Sequence, residues 1–156
     1  MVCVPRKNVT SDERLGDLLD KCVRNHPEND AIVYVDRDYR LSWKQWGEED
    51  DRVAKGLMAM GVQKGEKVAV WATNVPDWIT LMFATAKIGA ILLTINTNYQ
   101  ADELDYVLRQ SDMENLFLID CVRDTDYVQV VYDLVPELRT MPRESFHSEK
   151  YPHLKR

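Results

Sequence analysis

The chain is poor in several features that would point to particular chemistries. Its three cysteines, Cys3, Cys22 and Cys121, are odd in number and far apart. They form no Cys-x-x-Cys pair, which excludes zinc-ribbon and thioredoxin-type motifs and leaves free thiols of a reducing cytosol as the expectation. Glycine is sparse, with six in 156 residues. Gly56, Gly61 and Gly65 spell neither Gly-x-Gly-x-x-Gly nor Gly-x4-Gly-Lys-Ser/Thr, so they are read as structural glycines at a helix, its end and a turn. Three histidines, His26, His147 and His153, lack metal-ligand spacing and are expected to be solvated. No apolar run reaches the roughly 18 residues that span a bilayer. The first eight residues carry no apolar stretch of signal-peptide type, so a cytoplasmic protein with no transmembrane segment is expected. Asn8-Val9-Thr10 then matches a glycosylation sequon only by chance. A basic excess is also missing. Twenty Lys and Arg against 26 Asp and Glu give a net charge of -6, which argues against nucleic acid as a partner.

What is present describes a folded domain. The composition is 45% hydrophobic and 29% charged, with four Trp, seven Tyr and three Phe. That is enough to offset the ordering entropy of a chain of this length by burial.

Periodicity gives the organisation. Residues 1–10 read as a flexible arm. Residues 11–25 predict a helix, with Leu15, Leu18, Leu19 and Cys22 on one face. A turn at His26-Pro27 precedes two short strands, 31–35 and 39–41, joined as a hairpin through Asp36-Arg37-Asp38. Ser42 and Gln45 spell a capping box. The helix they open is expected to run to about Met60 and to end at Gly61. Its apolar side is Trp46, Val53, Leu57 and Met60, and Glu48–Arg52 and Asp51–Lys55 are expected as ion pairs on the wet side.

Strands at 67–72, 90–95 and 116–120 then alternate with helices at about 76–88, 101–110 and 124–135. This is the pattern of a parallel α/β sheet. The nearly all-apolar 90–95 reads as its central strand. Residues 136–156 are polar, contain three prolines and read as a surface connection. The last helix feeds no further strand, so the chain is expected to be a truncated piece of a longer one.

Isolated chemical groups fare poorly. The acidic run Glu48-Glu49-Asp50-Asp51 spreads around a helix and reads as a solvated face rather than as paired catalytic carboxylates. Cys121 follows a strand, where sites occur in open sheets, but reads as a buried structural thiol. More informative are two loops at strand ends, residues 71–78 and 94–99, which can line one crevice. Asn74, Asn96 and Asn98 within them read singly as a helix cap or turn residues.

The same loops carry a family resemblance. In order, the chain has Leu15-Gly16-Asp17-Leu18-Leu19, Leu41-Ser42-Trp43-Lys44-Gln45-Trp46, Gly61-Val62-Gln63-Lys64-Gly65-Glu66-Lys67-Val68-Ala69-Val70, Asn74-Val75-Pro76-Asp77-Trp78, Lys87-Ile88-Gly89-Ala90-Ile91 and the Asn96 loop. Glu103-Leu104-Asp105-Tyr106-Val107-Leu108-Arg109 follows. The chain resembles the N-terminal region of the adenylate-forming superfamily of acyl-CoA synthetases. Trp-Ala-Thr-Asn combined with Thr-Asn-Tyr is most like the medium- and long-chain fatty-acyl branch. Thr94-Ile95-Asn96 replaces the usual Pro-Leu-Asn, and Asp77 replaces the commoner Glu.

The resemblance implies an incomplete N-terminal α/β subdomain over residues 11–135. It also implies a parent ligase that uses ATP, Mg and CoA to activate a carboxylic acid, here a fatty acid, through an acyl-adenylate. The superfamily's Thr-Ser-Gly-Thr-Thr-Gly-x-Pro-Lys-Gly loop, ribose-binding Asp and C-terminal Lys have no match in these residues. No catalytic, cofactor-binding or metal-ligating residue is therefore assigned, and these residues alone are expected to be inactive and to bind no cofactor. Apolar surface left uncovered is expected to drive homo-oligomer formation. The alternatives are a free-standing α/β protein-interaction module and a flavodoxin-like small-molecule binder, the latter disfavoured by the missing phosphate cradle.

Overall fold

A computed structural model describes residues 13–156. The N-terminal arm, Cys3 and Ser11 lie outside the described residues. Helix α1 spans Leu15–Asn25. It starts at Leu15, the first leucine of the expected face, and Asp17 fixes its first turn by accepting from the Arg14 backbone N–H (3.3 Å) and Arg14 Nε (2.9 Å). Strands β1 (Asp30–Tyr34) and β2 (Tyr39–Ser42) form the expected antiparallel hairpin. A short 3-10 turn connects them, with Asp38 at φ 47.

Helix α2 spans Trp43–Ala59. Its capping box forms as the sequence indicates: Gln45 N–H donates to Ser42 Oγ (3.3 Å) and Ser42 N–H to Gln45 Oε1 (2.9 Å). Gly61 follows at φ 88, a conformation that costs glycine nothing. The ion pairs differ from expectation. Arg52 pairs with Glu49 (2.9 Å), three residues back, instead of Glu48, and Asp51 pairs with Lys87 of the following helix (2.6 Å) instead of Lys55.

Strands β3 (Lys67–Trp71), β4 (Ile91–Thr94) and β5 (Asn115–Leu118) form a parallel sheet in the order β4-β3-β5. Helices α3 (Pro76–Ile88) and α4 (Ala101–Gln110) make the crossovers. The central strand is thus β3, buried along almost all its length, and β4 is a half-exposed edge. Apolar content made β4 look central, but β3 holds that place because both other strands pair with it.

The alternation of β3 divides the core. Val68, Val70 and Ala72 face Ala54 and Leu57 of α2 and Leu81 and Ala84 of α3. Ala69 and Trp71 face Leu104 and Leu108 of α4 and, beyond them, Tyr127 and Val131. A third cluster, Leu19, Ile32 and Trp46, docks α1 and the hairpin onto α2. Gly47 is required there, since a Cβ would lie 2.7 Å from Val23 Cγ2.

Two later elements also differ from expectation. Residues 121–126 form a small hairpin, β6 (Cys121–Val122) with β7 (Thr125–Asp126), and helix α5 begins only at Tyr127 (Tyr127–Leu134). Asp126 sets that start by accepting from Gln129 N–H at 2.8 Å. Residues 136–156, expected as a surface connection, include the short helix α6 (Glu137–Thr140) and return to the core. Ser148, Tyr151 and Leu154 are buried. Arg156 N–H donates to Glu114 O (3.2 Å), and Arg156 O accepts from Leu116 N–H (2.8 Å). That is the bonding pattern of a parallel neighbour on the outer side of β5.

Candidate functional site

The carboxyl ends of β3, β4 and β5 lie on one edge of the sheet, where open α/β sheets place their ligands. Trp71 ends β3 and is fully buried. Its indole stacks on the ring of Tyr127, with centroids 3.5 Å apart and planes 4° apart. Both rings reach over the 94–99 loop. Trp71 Nε1–H donates to Asn96 O at 3.1 Å, and the Tyr127 hydroxyl donates to Thr97 O at 2.6 Å. Burial pushes the Tyr127 phenol up, so it remains a protonated donor. Asn96 Oδ1 accepts from Asn98 N–H at 2.9 Å, closing an Asx turn.

The two strand-end loops touch through Trp71 and Asn96 but do not line one crevice as expected, and Asn96 takes the structural role. Asn74 does not cap α3. Val75 is the N-cap, and Pro76 starts the helix at the position where its missing N–H costs nothing. Two clefts open beside this edge, on opposite faces of the sheet. One, about 590 Å³, is lined by Thr94, Asn96, Tyr99, Tyr106, Val107 and Gln110. The other, about 230 Å³ and mostly apolar, lies among Val70, Val75, Trp78, Leu81, Phe117 and Ile119.

The remaining polar candidates are dispersed. His26, His147 and His153 are exposed, as read from the sequence. His153 Nε2 lies 3.6 Å from Asp112. Cys121 is exposed rather than buried, because it opens the β6–β7 hairpin instead of ending β5. Cys22 and Cys121 are free thiols. Among the described residues, no group of three or more His, Cys, Asp or Glu could hold a metal ion, and no helix is long and apolar enough to cross a membrane.

The acidic run is where the structure departs most from the sequence reading. Asp50 is not solvated but completely buried. Lys87 Nζ stands among Asp20 Oδ1 (3.0 Å), Asp50 Oδ2 (3.1 Å) and Asp51 Oδ1 (2.6 Å). Neither Asp50 oxygen receives a well-directed hydrogen bond among the described residues, although Oδ2 is within ion-pair distance of the ammonium. Burial pushes the Asp50 carboxyl up to about 6 against the lowering influence of Lys87. Burial alone would lower Lys87, but its three carboxylate partners outweigh that and hold it above the ordinary lysine value. The signal was present in the spacing: Asp50 falls four residues after Trp46 and seven before Leu57, in register with the apolar stripe.

Comparison with known proteins places this architecture. Residues 19–153 match the family described as AMP-binding enzyme. The Bacillus subtilis (strain 168) protein YngI, provisionally named an acyl-CoA synthetase, is 48% identical over 141 residues, covering 90% of this chain and 26% of that protein. The medium-chain acyl-CoA ligase ACSF2, mitochondrial, of Rattus norvegicus is 32% identical over 143 residues, covering 92% and 23%. The chain thus spans about a quarter of the length of these curated relatives. A crystal structure of the N-terminal domain of FACL13 from Mycobacterium tuberculosis superposes with a TM-score of 0.66 at 28% identity, covering 68% of this chain and 27% of that one. The chain belongs to the AMP-binding enzyme family, and its α/β fold is that of the N-terminal region of acyl-CoA synthetases.

Proposed function

We propose that these residues form the N-terminal lobe of an ATP-dependent, AMP-forming ligase that joins a medium- or long-chain fatty acid to CoA. The observation that carries this reading is the family match, which runs through nearly every described element. The names of the relatives support the acyl-CoA chemistry, and ACSF2 supports a medium-chain acid. A carboxylate is a poor electrophile, and adenylation supplies the leaving group that the CoA thiol displaces.

The residues present do not fit ATP or Mg. At the sheet edge the Trp71 indole N–H, the Tyr127 hydroxyl and the Asn96 side-chain oxygen are already engaged within the chain. No glycine-rich turn offers backbone N–H groups to a phosphate. ATP, Mg and CoA belong, in this reading, to the complete enzyme, and no step of the chemistry falls on a residue of this chain. Alone, these 156 residues are inactive; their role is to position the strand-end loops. Free Cys22 and Cys121 suit a cytoplasmic location, whereas the rat relative is named as mitochondrial.

The test is acyl-CoA formation with ATP and fatty acids of graded length. It compares this chain alone with the longest polypeptide encoded by the same reading frame. The expected result is turnover by the longer polypeptide and none above a buffer blank by this chain. Turnover by the chain alone would overturn its inactivity. A long, folded polypeptide that adenylates no carboxylic acid would overturn the ligase reading.

A further inference from the structure

The junction that holds α1 to the rest of the protein carries more negative than positive charge. Asp20 of α1 and Asp50 and Asp51 of α2 share the single ammonium of Lys87 on α3. Helix α1 lies close over this site. A Cβ on Gly16 would come within 2.9 Å of Lys87 Cγ, and Val23 fills the space above Gly47. Asp50, one turn on from Gly47, is on the face that α1 covers. The rest of the attachment is apolar: Gly16 and Leu19 are the buried residues of α1 and Val23 packs with them against α2, while Leu15 and Leu18 remain exposed.

We propose that this junction is a proton-operated clasp: proton uptake by Asp50 closes α1 onto α2 and α3, and ionisation of Asp50 loosens it. When Asp50 is ionised, three carboxylates surround one ammonium, and the charge on Asp50 is held out of water without a well-directed hydrogen bond. Opening α1 returns water to that carboxylate. When Asp50 is neutral, Lys87 divides its charge between Asp51 and Asp20, and the contact from α1 loses its competitor.

Among the described residues the groups facing Asp50 are few. Helix α1 contributes Asp20, with the Asp17–Arg14 pair at the rim of the cleft. Helix α2 contributes Asp51 and α3 contributes Lys87, and Lys64, from the turn before β3, lines the same cleft. The raised affinity of Asp50 for its proton puts the transition near neutral rather than acid pH. By linkage, a group whose pKa is higher in the closed than in the open state makes the closed state weaker as pH rises. For a shift of about two pH units, opening should increase on the order of tenfold between pH 5 and pH 8.

The test is amide hydrogen exchange of α1 relative to α4 in the full chain across pH 5–8, corrected for intrinsic rates. In parallel, the Asp50 carboxyl is titrated by carbon NMR in the unaltered protein. Protection of α1 should fall about tenfold relative to α4 as pH rises, and Asp50→Asn should abolish that slope. The carboxyl should titrate near pH 6. A pH-independent α1, a slope that survives Asp50→Asn, or a carboxyl titrating like an ordinary aspartate would each overturn the clasp. Should Asp50→Asn not fold, the exchange slope and the titration in the unaltered chain still decide.

Discussion

Trp71 and Tyr127 lie face to face, 3.5 Å between ring centroids and 4° from parallel, and each bonds a different carbonyl of the same loop. A strand-end tryptophan and a helix-start tyrosine, 56 positions apart in sequence, thereby fix the backbone of residues 96 and 97 from two sides. Neither ring is free to tilt without breaking a hydrogen bond. The 94–99 loop is therefore held by groups that lie outside it.

Trp71→Ala should cost about 3–5 kcal/mol of stability, as expected for a large ring removed from a packed core. Tyr127→Phe keeps the stack and removes one hydroxyl, leaving Thr97 O with one donor fewer, at about 1–2 kcal/mol. Urea unfolding of the two variants measures both. A Tyr127→Phe loss as large as that of Trp71→Ala would show that the hydroxyl, not the stack, fixes the loop.

Lys87→Met should destabilise the protein through Asp50 by about 1–2 kcal/mol at pH 7, because the buried carboxyl can then no longer ionise beside an ammonium. The sign with pH follows from the raised pKa of Asp50. Its contribution is fully present below the unfolded aspartate value near 4 and is lost as pH rises through about 6. The penalty of Lys87→Met should therefore be smaller at pH 5 than at pH 8. Replacing Asp50 by Asn in the same chain should recover part of the loss at pH 8. Unfolding free energies of the single and double variants at the two pH values check this.

Tyr151→Phe probes the last segment. The Tyr151 hydroxyl donates to Asp105 Oδ1 at 2.6 Å, and with Lys150 and Arg109 it holds the Asp105 carboxyl well below the usual carboxylate range. Removing a hydrogen bond to a charged group should cost about 1.5–3 kcal/mol at pH 7. The contribution is present above pH 4 and fades as acid protonates Asp105, so the gap between variant and parent should narrow on acidification. An equal gap at pH 7 and at strongly acid pH would contradict this assignment.

Met58, Ile91 and Tyr106 each leave more than half of their surface in water. Ile91 stands at the start of the open edge strand β4. Sedimentation across a range of concentrations should show self-association, weakened by Ile91→Asp, which puts a charge on that edge. A monomer at every concentration would contradict it.

The sequence was informative where the physical cause is local. The Ser42–Gln45 box, the turn at Gly61 and the hairpin around Asp36-Arg37-Asp38 all depend on neighbours within four residues. The order of strands and helices followed from periodicity in the same way. Strand 91–94 was placed wrongly because centrality depends on partners, and an apolar run next to an edge looks like one in the middle. Residues 136–156 read as surface because Tyr151 and Leu154 are spaced by polar residues, and only the distant α4 and β5 give them a place to bury.

Asp50 shows the same division. Its position in the apolar register of α2 was readable, but Lys87 and Asp20, which make its burial tolerable, come from other helices. At the strand-end loops, the pairing of Asn96 with Asn98 is local and followed a turn rule. The two rings that hold the loop are not local, and no spacing announced them.

The bonds of Arg156 to Glu114 and Leu116 have a bearing on the order of assembly. The β1–β2 hairpin closes over a handful of residues and can form within microseconds. The segment beside β5 closes a loop of some forty residues that holds the hairpin β6–β7, α5 and α6. A search over such a loop is entropically dearer and slower. The side of the sheet beyond β5, like the β3–β5 pairing of residues 47 positions apart, should therefore close after the β1–β2 hairpin.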